Sequence, residues 1–281
     1  MHARTGSILK LISWNIQWCR GVDGVVDPEC IARTARELCD PDVCCFQEVA
    51  DNFASLEGSA GENQVALLQA KFPGYSGHFA YAVDHPDGKG GRRRFGNLIL
   101  SRLPVQRVLR HSLPWRPEAG QPSMPRIAIE AAIEAPCGLV SVTTTHLEYY
   151  SAGSREAQVN HLLDLERERK KHATTAPATT KLDGTFQPFA RPAASILTGD
   201  FNMRPEDPLV ARLRETYTDA WQASHPGTPH PVTMCLHEHG SDGPHCCDFV
   251  FVSRELVSRL KAMEVDQASQ ASDHQPLIVE F

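Results

Sequence analysis

The sequence predicts a layered α/β fold, and two observations support this. Short apolar runs rich in β-branched and aromatic residues indicate eight strands, and amphipathic patterns typical of helices lie between some of them. Because the strands occur in groups and do not alternate one by one with helices, the pattern favours packed layers over a simple alternating barrel. The predicted strands span residues 8–16, 43–49, 95–100, 127–133, 139–145, 195–197, 249–252 and 277–281.

The clearest helical pattern covers residues 28–38. Asp27 can cap this helix and Pro28 suits its first turn, while Ile31, Ala35 and Leu38 share one face. Weaker patterns predict helices over residues 154–171, 206–216 and 254–261.

Length and composition indicate one globular domain over residues 1–281. The hydrophobic fraction of 41% and the charged fraction of 22% are ordinary for globular proteins. Residues 170–192, rich in Thr, Ala and Pro, predict an exposed loop within that domain, because motifs on both sides must meet in one site. No apolar run approaches the roughly 20 residues that span a bilayer, and residues 1–10 lack a signal-peptide core. We therefore expect a cytoplasmic protein.

Cysteine usage and net charge narrow the class further. Nine cysteines include the adjacent pairs Cys44-Cys45 and Cys246-Cys247 within apolar stretches, which favours reduced, buried thiols over disulfides. The formal charge of -6 argues against broad, charge-driven binding of nucleic acid, although a local site can still bind phosphate.

Polar residues recur at the ends of the predicted strands, where they can converge on one cleft. They lie in the segments LISWNIQ, CFQEV, TTTHLEYYS, ILTGDFN, CDFVFVS and SDHQP. The residues concerned are Asn15, Glu48, His146, Asp200, Asn202, Asp248, Asp273 and His274.

The ordered set WN, QE, GDFN, DFVF and SDHQP resembles the endonuclease/exonuclease/phosphatase superfamily of DNase I-like metal-dependent phosphoesterases, over residues 12–276. The resemblance implies a four-layer sandwich of two packed, mostly antiparallel β-sheets flanked by helices. It also implies an active site at the mouth between the sheets.

A phosphate ester resists attack because its anionic oxygens repel a nucleophile, so the site must neutralise charge and position a water. Mg²⁺ suits this task because it prefers oxygen ligands and retains waters. The resemblance implies Mg²⁺, for which Mn²⁺ can substitute, with Glu48 as a metal ligand and with Asn15 and Asp273 supporting the ion or a second position.

The resemblance also implies catalytic roles. Asp200 orients and deprotonates the attacking water, and Asn202 holds the phosphate. The two residues are two positions apart on a segment predicted to be extended, so their side chains would point the same way. His274 donates to a phosphoryl oxygen with Asp248 fixing its tautomer. His146 stabilises the phosphate or protonates the leaving group, and the sequence does not identify its carboxylate partner.

Other segments could contribute to substrate or metal binding. Asn97 and Arg126 are expected to line the cleft, and the Arg126 guanidinium suits a phosphate. The run 92–94 of three arginines follows a Gly-rich stretch and predicts a flexible basic loop, either solvated or phosphate-binding. Residues 235–247 hold six Cys and His residues and could form a zinc site, although the spacing fits no standard ligand pattern.

We therefore predict a metal-dependent phosphoesterase in which water attacks phosphorus directly. The THL form around His146 resembles that of DNase I-like and sphingomyelinase-like members of the superfamily, and this resemblance favours a phosphodiesterase acting on nucleic acid or another phosphodiester. One alternative is a phosphatase or phospholipase C-like hydrolase acting on inositol phosphates or lipid headgroups. A second is an inactive binding module of the same fold, which the complete set of Glu, Asp and His residues disfavours. No protein partner is predicted.

Overall fold

The computed structural model describes residues 8–175, residue 185, and residues 191–237 and 243–281. The strands are β1 Lys10–Asn15, β2 Val43–Asp51, β3 Ser76–Pro86, β4 Arg92–Ser101, β5 Val105–Ser112, β6 Ile127–Ala135, β7 Gly138–His146, β8 Ala194–Asp200, β9 Thr218–Asp219, β10 Asp248–Val252, β11 Ala262–Val265 and β12 Leu277–Glu280. The helices are α1 Pro28–Cys39, α2 Gln64–Lys71, α3 Ala152–Thr174, α4 Pro208–Thr216, α5 Ala220–Ser224 and α6 Arg254–Val257, and a 3₁₀ turn spans Gln17–Cys19.

The strands form two six-stranded sheets that pack face to face. The first sheet has the order β11-β12-β1-β2-β4-β3 and the second the order β5-β6-β7-β8-β10-β9. Each sheet has one parallel pair near its centre, β1 with β2 and β7 with β8, and its other pairs are antiparallel.

Three apolar clusters hold the layers together. The inner faces of the two sheets share a core that includes Leu11, Ile99, Ile129 and Val142. Helices α1 and α2 pack on the outer face of the first sheet, and α3 and α4 on that of the second. The architecture is therefore the four-layer α/β sandwich with mostly antiparallel sheets that the resemblance implied.

Helix α1 illustrates how local sequence sets an element. The Asp27 side chain accepts a hydrogen bond from the Glu29 backbone N–H at 2.8 Å, and Pro28 occupies the first turn. Ile31 and Ala35 are fully buried. The predicted cap and buried face are confirmed.

All eight predicted strands are confirmed, but β3, β5, β9 and β11 were not predicted. β3 and β5 lie at sheet edges and are partly exposed along most of their length, so their sequences lack a clear apolar run. Strand β9 is only two residues long. The helix predicted over residues 254–261 is shorter in the structure, where α6 ends at Val257.

Two predicted loops are also corrected. The arginines at 92–94 belong to β4 and pair with β3, so the prediction of a flexible loop was wrong. Arg92 is bonded to Asp84, and Arg94 contacts Asp51. Helix α3 continues to Thr174, into the predicted loop 170–192, of which residues 176–184 and 186–190 lie outside the described residues.

The nine cysteines are free thiols, and seven of them are buried. Within the described part of the chain, no helix is both long enough and apolar enough to cross a membrane.

Candidate active site

The two parallel strand pairs direct their carboxyl ends to the same edge of the sandwich. Asn15 ends β1, His146 ends β7 and Asp200 ends β8. Asp248 begins β10 directly opposite Asp200, because β10 runs antiparallel to β8. A cavity of about 400 Å³ opens there, lined by Glu48, Arg126, His146, Asp200, Asn202, Asp273 and His274 among others.

The Asn15 amide connects the two sheets at this edge. Its Nδ2 donates to Glu48 Oε1 at 3.1 Å and to Asp200 Oδ2 at 3.0 Å. Its Oδ1 accepts from the Gln17 backbone N–H, and the Gln17 side chain donates to Asp273 Oδ2 at 2.7 Å. Asn15 and Gln17 therefore hold three carboxylates in fixed positions.

Glu48 is placed by an irregular strand. Its backbone has φ of 59°, in the left-handed region, and the pairing of β2 with β4 shifts register between Phe46 and Val49. A non-glycine residue in this region is strained, and such strain occurs mostly at functional sites. The bulge interrupts the alternation of β2 at the residue whose side chain reaches Asn15.

The backbone at Asn202 is not extended, contrary to the prediction from the sequence. Its φ is 51° and β8 ends at Asp200, so the segment is not extended and the two side chains are not aligned by strand geometry. Instead the Asn202 backbone N–H donates to Asp200 Oδ1 at 2.9 Å. The Asn202 Nδ2 lies 2.9 Å from the Leu147 carbonyl oxygen and 3.0 Å from His146 Nε2.

His146 has two carboxylate neighbours that the sequence could not identify. Its Nδ1 lies 3.7 Å from Glu48 Oε1, and its Nε2 lies 3.4 Å from Asp200 Oδ2. Burial and the positive charge of Arg126 lower the pKa of His146 to about 3. The ring is therefore neutral at neutral pH and suits hydrogen bonding better than proton donation.

His274, in contrast to His146, is held in its protonated state. Burial opposes its charge, but Asp248 and Asp200 outweigh burial and raise the pKa of His274 well above its ordinary value. The His274 Nδ1 lies 2.9 Å from Asp248 Oδ2, which also accepts from Thr233 Oγ1 at 2.6 Å. This contact fixes the ring so that Nε2 faces Asp200 Oδ2 at 3.7 Å. Thr233 gave no signal in the sequence.

Arg126 and Asn97 occupy the side of the cavity formed by β4 and β6. The Arg126 Nε lies 3.7 Å from Oε2 of the fully buried Glu148, and its own Nε and Nη1 make no hydrogen bond. The buried Asn97 Nδ2 donates to the Ile127 carbonyl oxygen at 2.8 Å, beside Glu48 and His146. Glu148 was not among the predicted site residues, although it follows His146 by two residues.

The donor chemistry around Glu48 fits a hard divalent cation. Burial and the charges of Asp273 and Asp200 raise the pKa of Glu48 to about 7, although contacts with His274 and Asn15 oppose the rise. Carboxylates this close repel one another, and a cation would relieve that repulsion. In the present orientation Asn15 turns its amide nitrogen toward Glu48, so the Asn15 Oδ1 could bind the same ion only after the amide turns over.

A different group, formed by Asp200, Cys247, Asp248 and His274, brings four ligand atoms within 4.8 Å of one another. It fits Mg²⁺ less well, because it includes a thiol and because Asp248 and His274 already bond to each other. Of the segment 235–247, only Cys247 belongs to this group among the described residues, and His239 lies outside them. His237 and His245 contact the carbonyl oxygens of Gln267 and Gly243.

Comparison with known proteins agrees with this architecture. The model of the Endonuclease/Exonuclease/phosphatase family matches residues 12–274, and the chain belongs to that family. A search of curated proteins finds no significant match by sequence.

Solved structures share the fold at low identity. An endonuclease/exonuclease/phosphatase from Beutenbergia cavernae has a TM-score of 0.67 at 23% identity, covering 97% of this chain and 71% of that one. The human Nocturnin catalytic domain has a TM-score of 0.64 at 17% identity, covering 97% and 92%. A mannosyl-6-phosphatase from Bacteroides thetaiotaomicron has a TM-score of 0.62 at 17% identity, covering 96% and 98%. At these identities the likeness shows the fold alone.

The structure thus brings together the residues that the sequence singled out. Seven of the ten line the cavity, Asn15 and Asp248 bond to residues that do, and Asn97 lies in the adjoining cleft beside Glu48 and His146. Their individual roles remain predictions.

Proposed function

We propose that this protein is a divalent-metal-dependent phosphodiesterase in which water attacks phosphorus directly, without a covalent enzyme intermediate. One observation carries the proposal. The buried carboxylate of Asp200 lies between Asn15, His146 and His274, at the edge of a cavity that also exposes Glu48 and Arg126. Such a group can accept the proton of a water while its neighbours bind phosphate oxygens.

The other residues fit complementary roles. His274, held protonated by Asp248, donates from Nε2 to a phosphoryl oxygen. The Arg126 guanidinium lines the cavity and can donate to the phosphate. The lowered pKa of His146 favours a neutral hydrogen-bonding role over protonation of the leaving group, and Asn202 orients the ring.

Glu48 and Asp273, with Asn15 beside them, would hold the cation. Mg²⁺ is the ion that these oxygen ligands suit, with Mn²⁺ as a substitute, and it supplies positive charge for the phosphate oxygens. Gln17 keeps Asp273 in place through its 2.7 Å hydrogen bond.

A diester is favoured over a monoester by charge. Arg126 is the one Arg or Lys among the described residues that line the cavity, and a diester carries one negative charge where a monoester carries up to two. The alternative is a phosphatase or phospholipase C-like hydrolase acting on inositol phosphates or lipid headgroups. One structural neighbour is named as a mannosyl-6-phosphatase, which supports hydrolysis of a monoester as this alternative. The nine free thiols support a reducing compartment such as the cytoplasm.

The test compares hydrolysis of bis-p-nitrophenyl phosphate and p-nitrophenyl phosphate with Mg²⁺, with Mn²⁺ and with EDTA. We expect metal-dependent cleavage of the diester that is lost in Glu48→Gln and retained in Glu264→Gln, the same change at an exposed position of β11. Preference for the monoester would establish the phosphatase alternative. Activity that survives EDTA would refute metal dependence, and no activity on either ester would favour a binding module.

A further inference from the structure

One side of the catalytic cavity is lined by apolar side chains, which the proposed reaction does not use. This apolar wall consists of Trp18, Phe53, Leu56, Val83, Phe95 and Met124. Its members pack against one another in a separate apolar cluster around Val83 and Phe95. The Phe53 and Phe95 rings meet edge to face with centroids 6.2 Å apart, so the surface is continuous.

The apolar wall begins directly beside the catalytic residues. Phe95 and Met124 line the same cleft as Glu48, Arg126 and His146. A phosphate bound by Arg126 and His146 would therefore place one of its ester groups against Phe95 and Met124. The side chains of Phe53, Leu56 and Met124 are only partly buried, so apolar surface remains available to a ligand.

The wall is held in place before any ligand binds. Trp18 has a left-handed backbone, with φ of 43°, and its indole N–H donates to the Glu57 carbonyl oxygen at 2.8 Å. The Gln64 side chain donates to the Trp18 carbonyl oxygen at 2.7 Å. A preformed surface loses little conformational entropy when a ligand binds to it.

Two of the three arginines next to the apolar wall are paired with carboxylates, which makes them less available to further phosphates. Arg92 and Arg94 extend β4 beyond Phe95, but they are engaged by carboxylates, Arg92 by Asp84 and Arg94 by Asp51. The Arg93 guanidinium lies over the Phe53 ring, 5.2 Å from its centroid, where it contributes to the outer end of the wall.

We propose that the substrate is an ester of a single phosphate whose alcohol or phenol part is apolar, and that the apolar wall binds that part. The inference rests on the proposed function for the position of the phosphate. It disfavours polyphosphorylated sugars and long nucleic acid, which need several cations along their length.

Binding of simple phosphate monoesters tests the wall separately from catalysis, because each offers one phosphate and one ester group. Calorimetry with Mg²⁺ would compare methyl, phenyl and hexyl phosphate with glucose 6-phosphate, which is large but polar. We expect phenyl or hexyl phosphate to bind at least about tenfold more tightly than methyl phosphate, because the ring or chain loses its contact with water. Glucose 6-phosphate should bind no more tightly than methyl phosphate. The ratio of the affinities for phenyl and hexyl phosphate would distinguish aromatic from aliphatic substrates.

Variants assign the preference to the wall. Phe53→Ala and Leu56→Ala should each reduce the ratio of apolar to methyl ester affinity several-fold. Leu67→Ala removes the same side chain from an exposed position of α2 and should leave the ratio unchanged. Equal affinities for all four esters, or equal effects of Leu56→Ala and Leu67→Ala, would overturn the inference. If apolar esters bind more tightly but no ester is hydrolysed, the role of the apolar wall in binding would stand and the proposed phosphodiesterase activity would be refuted.

Discussion

Among the described residues, the buried polar cluster at the mouth between the sheets differs from a second one beneath α3. The second, the ion-pair brace, consists of Glu130, Glu166, Arg169 and Arg191, all at most 6% exposed. Arg169 pairs with Glu166 and also donates to backbone carbonyl oxygens and to Ser195, while Arg191 pairs with Glu130 at 3.2 Å. In the brace, two carboxylates therefore meet two guanidinium groups.

The catalytic cluster is not balanced in this way. Five carboxylates lie at this site, and among the described residues two cationic side chains face them, Arg126 and the protonated His274. The carboxylates are those of Glu48, Glu148, Asp200, Asp248 and Asp273. Burial and the neighbouring carboxylates raise the pKa of Glu48 although His274 opposes the rise, whereas the pKa of Glu130 is lowered by His111 and Arg191 against the effect of burial. The comparison indicates that uncompensated charge, and not the mere presence of buried acids, distinguishes a site prepared for a ligand from a structural contact.

Replacing a carboxylate in the catalytic cluster should give the largest effect. Asp200→Asn should lower kcat/KM for bis-p-nitrophenyl phosphate by about 10²–10⁴-fold, because the amide cannot accept the proton of the attacking water. Its unfolding free energy should change little, because the repulsion between Asp200 and Glu48 and the attraction between Asp200 and the protonated His274 are lost together. Kinetics and urea denaturation measure the two quantities, with the exposed Asp164→Asn as control. Unchanged activity would remove Asp200 from the mechanism.

Breaking the brace should have the converse result. Arg169→Met leaves the Glu166 carboxylate and two carbonyl oxygens without their main partner, and should lower the unfolding free energy by about 3–5 kcal/mol. Activity below the melting temperature should persist. Arg167→Met, at an exposed position of the same helix, is the control and should change stability little. A brace variant as stable as the wild type would remove the contrast between the two clusters.

Metal should stabilise only the unbalanced cluster. Mg²⁺ at about 100 times its dissociation constant should add about 2.7 kcal/mol to the stability of the wild type. Thermal unfolding with and without Mg²⁺ would show this as a rise in Tm, which should be absent in Glu48→Gln and present in Arg169→Met. An equal rise in Glu48→Gln would place the ion elsewhere, for example among Asp200, Cys247 and Asp248.

The pH dependence of the brace should be the smallest effect. The folded-state pKa of Glu130 is below its ordinary value of 4.5, so its stabilising contribution is complete above that pH and is lost as the pH falls through the folded value. The stability difference between the wild type and Glu130→Gln should therefore shrink on acidification below pH 4.5. Denaturation at a series of pH values measures it, and a constant difference would contradict the assignment.

Much of the fold followed from the sequence because its signals are local. The central strands β1, β2, β7 and β8 are buried and gave clear apolar runs, while the partly exposed edge strands β3 and β5 did not. A strand at an edge is stabilised by one neighbour and by contacts remote in sequence, so its own residues carry a weaker pattern.

The site was predicted residue by residue but not in its contacts. The sequence offers no reason to pair Thr233 with Asp248, or Glu148 with Arg126. It also predicted an extended segment at Asn202, where the chain turns into the left-handed region. These features depend on how separate elements meet, which no single segment encodes.

The layered α/β class, the family and the residue types at the strand ends could be predicted from the sequence, because periodicity and ordered motifs are properties of neighbouring positions. The contact between Asn15 and Asp200, 185 residues apart, and the position of the apolar wall beside Glu48 and His146 became visible in the folded chain. Distances between elements are set by sheet register and core packing, which depend on residues from the whole chain.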